Sequence, residues 1–72
     1  MRGIEIAKEP IELYKILKLG NLVGSGGEAK HVISEGQVLL NGTIETRKRK
    51  KILSGDLIEF GGEQIRVKLK QE

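Results

Sequence analysis

The sequence has no cysteine and no tryptophan, and only one each of proline, histidine, tyrosine and phenylalanine. Without cysteine there are no disulfides, thiolate nucleophiles or cysteine-based zinc sites. The lone histidine, His31, builds a metal centre only if several carboxylates surround it. The acids are scattered, with no second group placed to tune one of them for proton transfer. The glycines of Gly24-x-Gly26-Gly27 lack the Lys-Ser/Thr ending of a phosphate-cradling P-loop. No apolar run approaches the roughly 20 residues needed to cross a bilayer, and no stretch has the form of a signal peptide. The expected location is therefore the cytoplasm, with no membrane partner. A chain of 72 residues buries only about 60% of its unfolded surface. That leaves little room for a deep substrate pocket. The expectation is one domain over residues 1–72 that is not an enzyme and has no catalytic residue, metal or cofactor.

What the chain does have is a concentrated charge. Arg47, Lys48, Arg49, Lys50 and Lys51 are five consecutive cations, in a chain with 13 Lys and Arg against 10 Asp and Glu. Without that run, eight cations face ten acids, a balance of −2. One segment thus makes the protein basic, as a local anion-binding surface requires. A solubilising loop or a guarded sheet edge would also use lysine, but five in a row on a net-acidic remainder exceeds that need. Extended backbone would point Arg47, Arg49 and Lys51 to one side and Lys48 and Lys50 to the other.

The order of local signals places this run. Ile4-Glu5-Ile6 alternates like a short strand. Pro10 suits a first helical turn, and Leu13, Ile16 and Leu17 follow at helical spacing with Tyr14 beside them. Gly20 is a stop signal, so a first helix is predicted over about 10–19. Ser25 and Glu28 have the spacing of a capping box, and Gly36 closes the second helix. Ala29, Val32 and Ile33 form its apolar stripe. Lys30 lies on the Gly26 side, away from Glu28 and Glu35. The period then becomes two. Val38 and Leu40 lead into Asn41-Gly42, a tight-hairpin signal, and Thr43-Ile44-Glu45 begins the return. Residues 52–56 read as a turn, Leu57 to Phe60 as a strand, Gly61-Gly62 as another turn. Ile65, Val67 and Leu69 alternate with Arg66, Lys68 and Lys70 in a last strand, whose basic side reads as a solvated face. The result is an α+β fold, two helices packed on a small, mostly antiparallel sheet.

This order resembles the S-four RNA-binding domain, also called the alpha-L motif and named for a ribosomal small-subunit protein. The matching residues are Leu13, Leu17 and Gly20, then Ser25, Glu28-Ala29-Lys30 and Ile33. Gly36-Gln37-Val38 with Leu40-Asn41-Gly42 is similar to the family's Gly-x-Val-x-Val-Asn-Gly segment, and Gly55-Asp56-Leu57-Ile58 to its Gly-Asp-x-Ile segment. The resemblance covers about residues 11–60 and points to small stand-alone bacterial members. Family members usually carry an RNA-contacting Arg after the helix-two Ser, where this chain has Gly26.

The resemblance implies binding to a structured RNA, ribosomal or transfer RNA, in translation or ribosome assembly, with the ribosome or its proteins as further partners. The candidate RNA-binding residues are Ser25, Gly26, Gly27, Lys30, Arg47, Lys48, Arg49, Lys50 and Lys51. Bare glycine backbone at a helix start offers free N–H donors to phosphate, although Glu28 competes for those donors and repels anions. His31 reads as a surface residue. Tyr14 and Phe60 sit in apolar patterns expected to be core, so stacking of bases on aromatic platforms is not expected, and readout of RNA shape is. The molecule is expected to be a monomer. The alternative is a protein-interaction module whose basic run docks on an acidic or ribosomal partner.

Overall fold

The computed structural model describes residues 2–71. In chain order its elements are β1 (Arg2–Ile6), β2 (Ile11–Glu12), α1 (Leu13–Leu19), α2 (Gly26–Ser34), β3 (Leu39–Leu40), β4 (Thr43–Ile44), β5 (Lys51–Ile52), β6 (Leu57–Phe60) and β7 (Glu63–Leu69). Five strands form one sheet in the order β1-β7-β6-β3-β4, and β2 pairs with β5 in a separate two-stranded ribbon. All pairs are antiparallel except β1 with β7. The sheet is therefore mixed but mostly antiparallel, with both helices packed on it.

The two glycine-containing hairpins form as their sequences require. Asn41 and Gly42 have φ of 52° and 85°, and Gly61 and Gly62 have 62° and 82°, the paired left-handed conformations of a type I′ turn. Asn41 also does more than turn. Its Oδ1 accepts the Leu57 N–H at 2.9 Å, and its Nδ2 donates to Asp56 Oδ1 at 3.1 Å. The hairpin tip is thereby tied to the turn before β6.

Both helices close with the double hydrogen bond of a Schellman motif. In α2 the Gln37 N–H donates to Val32 O and Gly36 N–H to Ile33 O, with Gly36 at φ 76°. In α1 the Leu22 N–H donates to Leu17 O and Asn21 N–H to Lys18 O, and the left-handed residue is Asn21, at φ 57°. Gly20 marks the end of the helix as the sequence predicts, but for another reason. It has an ordinary φ of −81°, and a Cβ there would stand 2.7 Å from Ile65 Cδ1. Its missing side chain lets α1 approach the sheet.

Two boundaries differ from the sequence reading. The first helix starts at Leu13, not near residue 10, because Ile11 and Glu12 pair with Ile52 and Lys51. By the same pairing Ile52 belongs to a strand and is fully buried, rather than opening a turn. The core joins Leu13, Ile16 and Leu17 of α1, Ala29, Val32 and Ile33 of α2, Ile6, Ile58, Ile65 and Val67 of the sheet, and Val38 just before β3. Tyr14 and Phe60 pack on its border and are half-buried. Among the described residues no helix is long and apolar enough to cross a membrane.

Candidate nucleic-acid interface

The cationic run is laid across the start of α1. The Leu13 N–H donates to Lys50 O at 2.9 Å and the Tyr14 N–H to Lys48 O at 3.1 Å. These carbonyls satisfy two of the N–H groups that a helix start leaves unpaired. Glu12, at the α1 N-cap, makes no side-chain cap, so the loop supplies what the local sequence does not.

Within the loop the chain turns. The Lys50 N–H donates to Arg47 O at 3.1 Å, and this breaks the simple alternation that an extended segment would have. Glu45, a buried acid, holds the residue at which this turn starts. Its carboxylate accepts the Arg47 backbone N–H at 3.0 Å and the guanidinium at 2.9 and 3.2 Å. A bidentate charge-assisted contact of this kind fixes both residues.

The five cations are therefore not equivalent. Arg47 is engaged by Glu45, and Arg49 Nε lies 4.0 Å from Glu12. Lys48, Lys50 and Lys51 have no carboxylate within 4.0 Å among the described residues.

The Arg47 hydrogen bond holds the Glu45 carboxyl below its ordinary range, against the opposing effect of burial. Such a group stabilises the fold above its unfolded pKa, and that contribution disappears as pH falls through the lower folded pKa. Glu45→Gln should therefore lower the urea midpoint at pH 7, and the gap to the parent should shrink below about pH 4, near the free carboxyl value. A gap constant from pH 7 to pH 3 would mean that the charge of Glu45 is irrelevant.

Helix α2 presents its side of the site at intervals of one turn. Gly26, Lys30 and Ser34 stand four residues apart, so they lie on one face. At Gly26 a Cβ would be 4.0 Å from Tyr14 Cδ2. The Lys30 ammonium lies 4.8 Å from the Tyr14 ring centroid. Ser34 shares a shallow concavity with Thr46 to Lys51. Tyr14 thus joins the two halves, through its ring to α2 and through its backbone to the loop. By its apolar pattern Tyr14 is expected in the core, with no part in the site. Its neighbours at i−1 and i+3, Leu13 and Leu17, are fully buried, and their apolar pattern conceals a residue at the stripe's edge.

The helix-two start is capped as predicted. Ser25 Oγ accepts the Glu28 N–H at 3.1 Å. The Glu28 carboxylate, however, accepts from Gly24 N–H at 2.7 Å, one residue before the cap. The Gly26 and Gly27 N–H groups stay outside these bonds, with an acid close by. His31 is exposed on the helix. On β7, Arg66 donates to Gly55 O at 2.7 Å, which ties it to the turn. Among the described residues no three His, Asp or Glu side chains are grouped to hold a metal ion.

Two helices packed on a mixed, mostly antiparallel sheet match the alfaL motif of a solved relative. The S4 domain family model matches residues 4–68, and the chain belongs to that family. It is 43% identical over 68 residues to YbcJ of Escherichia coli, named as a candidate RNA-binding protein, across 93% of this chain and 97% of that protein. The solution structure of YbcJ, described as an alfaL motif involved in RNA-binding, superposes with a TM-score of 0.73 at 42% identity, covering 94% of this chain and 87% of the other. The probable ribosome maturation protein RlbA of Bacillus subtilis is 41% identical over 59 residues, across 82% of this chain and 83% of RlbA.

Proposed function

We propose that this protein is a non-enzymatic binder of structured RNA, with ribosomal or transfer RNA as target class, acting in translation or ribosome assembly. The observation that carries the reading is the meeting of the Arg47–Lys51 loop with the Gly26–Lys30–Ser34 face across Tyr14. The chain outside that loop is net acidic, so the loop supplies the protein's excess of positive charge. The descriptions of YbcJ and RlbA support the same class and direction. Ser25, Gly26 and Gly27 enter as backbone at the helix start, Lys30 and the loop cations as phosphate partners. The face is shallow, which suits recognition of a folded backbone better than capture of a small ligand.

Binding of this kind releases counterions. With about five phosphates neutralised, log affinity should fall with log salt at a slope of about −3.5 to −4.5. A titration of labelled hairpin RNA across salt concentrations measures it, and a slope near zero would defeat the electrostatic account. Salt alone does not separate RNA from an acidic protein partner. Ultraviolet crosslinking in cells with sequencing of the attached RNA does, and recovery of protein partners without RNA would favour the interaction-module reading.

A further inference from the structure

Beside the cationic loop the molecule has a second, chemically different feature. A shallow hollow between α1 and the start of α2 is lined by residues that include Ile11, Tyr14, Lys15, Lys18, Leu19 and Gly26. Tyr14 borders it, half-buried. Leu19 is 56% exposed and gives the hollow an apolar side beside the ring. Lys30 stands 4.8 Å and Lys15 5.9 Å from the Tyr14 centroid. Lys15 has an acid neighbour, Glu12 at 3.6 Å, whereas Lys18 and Lys30 have no carboxylate within 4.0 Å among the described residues. A Cβ at Gly26 would only just reach the ring edge, at 4.0 Å, and a longer side chain would cover it.

Resting on the RNA-binding reading above, we propose that this hollow is a nucleotide subsite. An unpaired nucleobase of the bound RNA, from a bulge or loop, rests against Tyr14, and its flanking phosphates meet Lys18 and Lys30. The occupant follows from the combination of surfaces. An acidic peptide would use the ammonium groups and leave the ring unmatched. An aliphatic protein surface would cover Leu19 and Ile11 and bury the lysines without partners, which is costly. A nucleotide supplies a flat apolar base and an anion together. Lys30 over the ring does not block this, because an exposed cation–π contact is weaker than base–aromatic stacking. The ammonium passes to phosphate as the ring passes to the base. Gly26 gains a second role here, since the bare position keeps the ring accessible.

The chain provides its own reporter. Tyr14 is the sole tyrosine and tryptophan is absent, so tyrosine emission reads this one ring. The test titrates the protein with a short RNA duplex carrying a single-nucleotide bulge and with the same duplex fully paired. Binding is followed independently by anisotropy of a label on the RNA. The bulged RNA is expected to quench the emission and the paired RNA to leave it nearly unchanged. Tyr14→Leu, which keeps apolar volume and the backbone N–H that holds Lys48 O, should cost about tenfold more in affinity for the bulged RNA than for the paired one, the size of a lost stacking contact. Gly26→Gln, which retains Tyr14, should reduce the quenching and serves if Tyr14→Leu does not fold. Binding of both RNAs with unchanged emission and no loss in either variant would overturn the subsite and leave RNA binding standing. Binding of neither RNA would overturn both readings.

Discussion

Replacing Lys48, Lys50 and Lys51 together by glutamine will weaken binding of a structured RNA by about 50- to 150-fold at about 0.15 M salt. The estimate follows from counterion release, at about 0.7 to 0.9 of an ion for each phosphate neutralised. Three lost contacts should also make the log–log salt slope shallower by about 2 to 2.7. These three lysines are chosen because none has an acid within 4.0 Å among the described residues. The fold should tolerate the change, since the loop is held by its backbone carbonyls on α1 and by Glu45 on Arg47, and these contacts remain. Lys30→Ala removes one cation and should cost only about fivefold by the same reasoning. Affinity of the triple variant within threefold of the parent would remove the loop from the interface. A larger loss from Lys30→Ala would return the weight to the helix.

From the sequence alone the expected triple is Arg47, Lys48 and Arg49. It outweighs Lys30 because five cations follow an Asn-Gly hairpin and Gly26 stands where the resembled family usually carries Arg. The engagement of Arg47 and Arg49 by acids moves the weight to the lysines. Local signals carried most of the fold. The Asn41-Gly42 and Gly61-Gly62 turns, the Ser25 cap and the Ala29-Val32-Ile33 stripe each depend on a few adjacent residues, so they can be read without tertiary information. What escaped depends on distant partners. Nothing near Ile11-Glu12 announces that it pairs with Lys51-Ile52, forty residues on, so the first helix reads as starting too early. The parallel pairing of β1 with β7 joins the two ends of the chain and has no local signature. The same limit governs the site. The run of cations is obvious, but the engagement of Arg47 by Glu45 and the position of Tyr14 between loop and helix are not. A carboxylate two residues before an arginine is a weak signal, because extended backbone would place both on one face while a turn need not. Here Glu45 is buried, and Arg47, although largely exposed, turns its guanidinium back onto it.

Leu13→Ala should be among the most damaging single changes outside the charged surface. Leu13 is fully buried, and it is the first residue of α1. Truncation of a buried leucine to alanine removes transfer energy and leaves a cavity, at a typical cost of about 2–5 kcal/mol. A domain of this size has a total stability of about 4–11 kcal/mol, so the variant should lose a large part of it. The consequence reaches the site, because the Leu13 N–H holds Lys50 O and the next residue's N–H holds Lys48 O. The helix start that the side chain anchors is also the support of the cationic loop. Urea unfolding followed by circular dichroism measures the first effect, with Leu53→Ala as control. Leu53 is 50% exposed, and its truncation should cost within about 0.5 kcal/mol, as for an ordinary surface site. Amide hydrogen exchange in Leu13→Ala measures the second effect, at Tyr14 N–H, which should lose protection along with the helix start. Equal costs for the two truncations would show that the α1 start is not anchored by its buried leucine. Full protection at Tyr14 in a destabilised Leu13→Ala protein would show that the loop is held from elsewhere, and Glu45 with Arg47 would then be its principal restraint.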